Sequence, residues 1–269
     1  MTVATATSAS SGFDKYGQPA PVMDWNIDYL TAQHIKEVEK CNGYALGDAA
    51  KHFDHVASNF EGAYLRLGYP DPLKVAEMIN KHCKSRGLPK DCKILDLGCG
   101  TGLIGKYLKE FGFTNIIGID VSPVMLQHAK GKEAYAELIE HDLLDIDMFP
   151  GKFRNCFDVV CCSGFVNNNH FDYKLFELII LALKQNRLLI FAARYSYIGE
   201  YWYNEVLQLM TMENRIRLLD NEAFFKYDRI LASIGRFSKT PSKVYVYENL
   251  QENKNTYTVR ESDGGMGAA

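Results

Sequence analysis

A chain of 269 residues, 47% apolar and 23% charged, is long enough to bury a substantial core and has ordinary globular composition. Its formal net charge of −3 excludes a broad basic field for nucleic acid or anionic lipid. No stretch approaches the roughly 18 apolar residues of a membrane span.

The seven cysteines are Cys41, Cys83, Cys92, Cys99, Cys156, Cys161 and Cys162. Their odd number and the lack of C-x-x-C spacing point to free thiols in a reducing, cytoplasmic compartment, with neither a disulfide framework nor a metal site. The opening segment Met1 to Ser11 has no apolar core and no arginine, and reads as a disordered tail rather than a targeting peptide.

In chain order, residues 1–24 read as a flexible arm punctuated by Gly17, Pro19 and Pro21. A helical cap is expected over 25–88, broken near Cys41–Asp48 and at Gly68 to Pro72. Asp71-Pro72 opens the last of its helices, running from Leu73 toward His82. From 89 to 250 the texture changes to alternating strands and helices. Strands are expected at Lys93–Leu97, Asn115–Asp120, Tyr135–Glu140, Phe157–Ser163 and Arg187–Ala193. The first two are each followed by a helix, Leu103–Phe111 and one begun by Ser122-Pro123; a third helix, Tyr173–Lys184, precedes the fifth strand.

Cys161 and Cys162, adjacent in the fourth strand, should point to opposite faces. Tyr197–Leu219 reads as one long helix. Phe224–Asp228 and Lys243–Leu250 read as a closing hairpin at the sheet's edge, and 251–269 as a disordered tail. The alternation implies right-handed crossovers and a doubly wound, mostly parallel α/β sheet.

The chemistry concentrates in Asp96-Leu-Gly98-Cys-Gly100-Thr-Gly102, at a strand-to-helix junction. Glycines at alternate positions bare the backbone to a ligand, and the following helix directs free N–H groups at it. Asp96 can receive an amino group there. The dinucleotide fingerprint G-x-G-x-x-G fails, because Leu103 stands three residues after Gly100. The spacing therefore disfavours a pyrophosphate ligand such as NAD. Asp120, about twenty residues on, closes the second strand and can accept ribose hydroxyls.

Ile94 to Gly102, followed by Gly118-Ile-Asp-Val-Ser-Pro-Val-Met-Leu126, resembles motif I and its acidic partner in class I S-adenosylmethionine (SAM)-dependent methyltransferases. His52 to Phe60 and Leu67 to Pro72 resemble the region ahead of motif I in the methyltransferase-like proteins named after the Williams–Beuren syndrome region. The likeness covers about residues 50–250. It implies a seven-stranded Rossmann-like sheet and SAM as cofactor.

The residues that the resemblance assigns to the cofactor begin with the turn. Gly98, Cys99, Gly100 and Gly102 would hold the methionine moiety, with Asp96 near its ammonium. Asp120 would bind the ribose, and Val121 and Met125 the adenine, although Met125 serves equally well as core. Asp142, beside Leu143, would meet the adenine amino group or merely cap a turn. Ser163-Gly164-Phe165 would line the transferring methyl. Phe53 and Phe60 close over the cofactor or pack as core.

Methyl transfer needs alignment and exclusion of water more than acid–base chemistry. His170 is the candidate base, unless it is simply a loop residue. Arg194 and Tyr195 are the candidate substrate contacts; Arg194 would bind an anionic group or pair at the rim. The fourth strand ends in Ser163-Gly-Phe-Val166, unlike the Asn/Asp-Pro-Pro-Tyr/Phe of amide and exocyclic-amine methylation. A small-molecule acceptor is therefore expected, partly apolar given Tyr195, Tyr197, Tyr201, Trp202 and Tyr203, with no nucleic acid and no membrane partner. A protein acceptor or partner read by the N-terminal arm is the alternative, as is a methyltransferase-fold subunit with an assembly role.

Overall fold

The computed structural model describes residues 48–143, 145, 151–164, 173–195, 203–228 and 239–251. The expected arm (1–24), nearly all of the break before Asp48, and the tail beyond Gln251 lie outside them.

Seven strands form one sheet: β1 (Ile94–Leu97), β2 (Ile116–Asp120), β3 (Glu137–Glu140), β4 (Phe157–Ser163), β5 (Leu183–Arg194), β6 (Ile216–Lys226) and β7 (Thr240–Asn249). Their order is β3-β2-β1-β4-β5-β7-β6. The first five run parallel and β7 pairs antiparallel with both β5 and β6. Helices α1 (Ala49–Leu67), α2 (Asp71–Ser85), α3 (Leu103–Glu110), α4 (Pro123–Lys130), α5 (Tyr173–Ala182) and α6 (Tyr203–Met212) accompany the sheet.

The central strands are buried on both faces because each face has its own core. Val75, Ile79, Ile104 and Leu108 from α2 and α3 cover Ile94, Val159, Ile190 and Val246 on one side. Leu175, Phe176 and Ile179 from α5, with Leu207 and Met210 from α6, cover Leu95, Val160, Phe191 and Tyr247 on the other. Cys161 falls in the first core and Cys162 in the second, as strand alternation requires. The helix α2, expected as part of a cap, is integral to the first of these cores, whereas α1 lies against α4 through Val56, Ala57 and Met125.

Local chemistry explains the boundaries. Gly68, at φ 80°, ends α1 in the left-handed region. Ser122 caps α4, its Oγ accepting the Met125 N–H at 3.0 Å, with Pro123 at the first helical position. Of the long helix expected over Tyr197–Leu219, residues 197–202 lie outside the described residues and the rest ends early, at Met212 of α6. Asn214 takes a positive φ of 56° after it, and Ile216 already begins β6. That strand is polar and largely exposed, so its alternation is hidden by surface charges, and it begins eight residues earlier than expected. The closing hairpin itself stands where it was expected, at the sheet's edge.

Candidate functional site

In an open parallel sheet ligands bind outside the carboxyl ends of the strands, where the strand order reverses. Here that point lies between β1 and β4. The loop Gly98–Gly102 flanks it on one side and Ser163-Gly164 on the other.

On the first side, Gly98, Gly100 and Gly102 all have positive φ, at 64°, 53° and 87°. Their roles differ. A Cβ on Gly100 would meet no protein atom within 4 Å, so this position opens on free space. A Cβ on Gly102 would stand 2.9 Å from the Ala129 backbone, so its bareness lets α3 pack against α4. The Asp120 carboxylate spans the turn. Oδ2 accepts the Gly100 N–H at 2.8 Å and Oδ1 the Ser122 N–H at 2.9 Å, which ties the glycine loop to the start of α4.

Asp96 is fully buried. Its Oδ2 accepts the Tyr135 hydroxyl at 2.7 Å, while Oδ1 and the nearby Thr101 Oγ1 make no hydrogen bond among the described residues. Burial, and secondarily the charge of Asp120, push Asp96 up to about 7 against the pull of the Tyr135 bond. Burial also raises Asp120, partly offset by its backbone N–H bonds. Neither carboxylate has a lysine or arginine partner among the described residues. Two mutually repelling buried carboxylates suit a cationic ligand and oppose a pyrophosphate.

Several of the residues expected at the cofactor are engaged in packing. Cys99 is buried, its thiol close to where a Gly118 Cβ would stand, and burial pushes that thiol up. Met125, 1% exposed, is engaged in the α1–α4 contact with Phe53 and Phe60 against it. Leu143 belongs to the core. Val121 is half-buried beside Asp120. Asp142 is half-buried too, its carbonyl accepting the Asp145 N–H at 2.9 Å; the preceding His141 N–H bonds the Asp120 carbonyl, which brings this stretch to the end of β2.

Across the switch point, Tyr69 places its hydroxyl 3.1 Å from Ser163 Oγ, and a Cβ on Gly164 would stand 2.4 Å from it. Behind it Lys226 and Asp71 form an ion pair at 2.7 Å with side chains only 7% and 0% exposed. The Lys226 ammonium lies 4.9 Å over the Tyr69 ring, and Tyr64 and Tyr227 complete an aromatic cluster with ring centroids 5.4 to 6.4 Å apart. Arg194 reaches this cluster, its guanidinium 5.9 Å over Tyr227. Tyr195 turns away, 56% exposed beneath the Lys243 ammonium. His170, Phe165, Tyr197, Tyr201 and Trp202 lie outside the described residues.

Three groups escaped the sequence reading: Tyr135, Tyr69 and the Asp71–Lys226 pair. A signal for the first was present. Gly105 sits inside α3 and Gly118 inside β2, and a Cβ on either would come within 3 Å of the Tyr135 ring.

A methyltransferase-domain family model matches residues 88–253, and the chain belongs to that family. Over 81 residues it is 40% identical to the 18S rRNA (guanine-N(7))-methyltransferase of Bos taurus, covering 30% of this chain and 28% of that protein. Over 93 residues it is 31% identical to human methyltransferase-like protein 27, covering 35% and 37% respectively. These matches thus span about a third of each relative. The crystal structure of a SAM-dependent methyltransferase from Clostridium acetobutylicum superimposes with a TM-score of 0.51 at 18% identity, over 72% of this chain and 98% of that one, and so shares its fold.

Proposed function

We propose that the chain transfers a methyl group from SAM to a small, partly apolar acceptor. The observation that carries the cofactor reading is the glycine turn itself: it is bare toward free space at Gly100 and, among the described residues, is backed by two buried carboxylates without a cation and holds unsatisfied polar atoms at Asp96 and Thr101. The residues fit a ligand with an ammonium, a ribose and a sulfonium. Bound SAM supplies an electrophilic methyl on a positively charged leaving sulfur.

The chain's residues bind and orient. Gly98 and Gly100 would let the cofactor approach the backbone, and Asp96 would meet its ammonium. Asp120 keeps lone pairs for the ribose beyond its backbone bonds, and Asp142 would meet the adenine. The opposite wall receives the acceptor. Burial and the neighbouring Asp71 hold the Tyr69 phenol well above its ordinary pKa, so it orients by hydrogen bonding rather than abstracting a proton. The tyrosine cluster supplies apolar area for a small ring and Arg194 a charge at its rim, which supports a metabolite acceptor over nucleic acid.

Calorimetric titration with SAM, S-adenosylhomocysteine and NAD tests the cofactor. Binding of the first two, and not NAD, is expected. Labelled methyl groups should then appear on a small molecule; label on protein or RNA would replace the acceptor reading. A folded chain that binds none of the three would point to an assembly subunit.

A further inference from the structure

Tyr135 lies outside the glycine turn, between α4 and β3, yet it touches three parts of the turn's support. Its ring occupies the space that Cβ atoms at Gly105 and Gly118 would need, 2.4 and 2.9 Å from the nearest ring atoms, so a helix glycine and a strand glycine together form its seat. Its hydroxyl accepts the Gly105 N–H at 3.1 Å, in the first turn of α3, and donates to Asp96 Oδ2 at 2.7 Å. The groups facing Asp96 are the Asp120 carboxylate, the thiols of Cys99, Cys161 and Cys162, and the Tyr135 phenol. None of them is a cation, and the phenol alone is seen to donate to it among the described residues. The second carboxylate oxygen, Oδ1, stays buried and unbonded there.

Resting on the SAM reading above, we propose that Tyr135 is a positioning residue of the cofactor site, whose hydroxyl orients the Asp96 carboxylate and leaves its second oxygen for the cofactor's ammonium group. The phenol is suited to this: burial, with the charge of Asp96 next, holds it well above its ordinary pKa, so it remains a donor at any working pH. The carboxylate pairs with an ammonium only when ionised, and it titrates near 7. Ammonium recognition is therefore present above about pH 7 and fades below it. Removing the hydroxyl takes away the hydrogen bond that favours the ionised form, and the transition moves to higher pH.

The test is calorimetry on the full chain and its Tyr135→Phe variant between pH 6 and 9. Two ligands are compared: S-adenosylhomocysteine and methylthioadenosine, which lacks the amino-acid moiety. In the wild type, the affinity ratio of the first to the second is expected to rise with pH through about 7. In Tyr135→Phe, whose ring still fills the glycine seat, S-adenosylhomocysteine binding at pH 7.5 should weaken about tenfold and its transition shift upward, with methylthioadenosine unchanged. Equal weakening of both ligands would mean a merely structural role and would overturn the proposal. So would a wild-type ratio that does not vary with pH, which decides the matter even if the variant fails to fold. A wild type that binds neither ligand would instead remove the SAM reading itself.

Discussion

Asp54 on α1 holds its Oδ1 2.6 Å from the Ser122 hydroxyl and 3.3 Å from the Val124 N–H. Ser122 is the N-cap of α4 and follows Asp120 by two residues, so a helix ahead of the sheet contributes a carboxylate to the helix end that frames the glycine turn. The contact is electrostatically favourable, because a negative charge meets the positive end of α4. Val56, Ala57 and Met125 seal the same interface.

Asp54→Ala should therefore cost about 1 to 2 kcal/mol, the usual worth of a helix cap. The loss should be local. Hydrogen exchange is expected to quicken in residues 49–60 while amides of β1 and β4 keep their protection. Unchanged exchange in α1 would show that the apolar contact alone holds it.

Replacing the glycines should separate binding from folding. Gly100→Val places its side chain in free space at φ 53°, so the fold should survive a strain of roughly 1–3 kcal/mol while SAM binding is lost. Gly102→Ala should do the reverse and destabilise by about 3 kcal/mol, since its Cβ would strike the Ala129 backbone. Thermal unfolding and calorimetry on both variants check the contrast, and equal effects would mean that the turn is misassigned.

Asp120→Ala should weaken SAM binding by about 2 kcal/mol or more, because a buried ribose loses charge-assisted hydrogen bonds and the turn loses its tie to Ser122. Asp120→Asn, which keeps one acceptor oxygen, should lose less. Affinities for S-adenosylhomocysteine, measured side by side, decide this.

Lys226→Met should destabilise by roughly 3–5 kcal/mol, since Asp71 would be left charged and fully buried. The double variant Asp71→Asn with Lys226→Met should recover most of that. Denaturant unfolding of the single and double variants measures the coupling; additive losses would mean that the pair is not the source.

Without cofactor, stability should carry a mark of Asp96. Its folded pKa, about 7, lies above its ordinary 3.8, so its stabilising contribution is complete below about pH 4 and lost as pH rises through 7. The stability difference between the wild type and Asp96→Asn should thus change by on the order of 4 kcal/mol between pH 4 and 8. Taking the difference cancels Asp158 and Glu248, which are held down by their basic and backbone partners and favour the fold toward higher pH.

Much of this architecture was legible beforehand because its signals are local. A continuous apolar run marks β4, Ser122-Pro123 a helix start, and the glycine turn a ligand-bearing junction. The cofactor residues divided less cleanly. Nothing in Met125 or Leu143 tells a core contact from an adenine contact, and only the packing partners decide. The polar strand β6 was read partly as helix because its outward residues are charged and mask the period of two. Tyr135, Tyr69 and Lys226 were hidden for a different reason. Each acts on residues far away in the chain, and no local pattern names such a partner; the glycines inside α3 and β2 mark only that something bulky meets them there.

One tie spans most of the protein. Lys74 on α2 pairs with Glu222 on β6, 148 residues away, and Lys81 pairs with Asp220; Tyr227 bonds the Gly68 carbonyl just before α2. On the ribosome, α2 emerges well ahead of the edge hairpin: Ile94, Val159 and Ile190 can seat its apolar face first, but Val246 and these polar ties come only with the hairpin. The helix is thus made long before the last of its partners. A nascent chain arrested before residue 220 should leave α2 more open to proteases than one that has completed the hairpin, and the wall that Tyr69 and Lys226 share cannot form before residue 226 has left the ribosome.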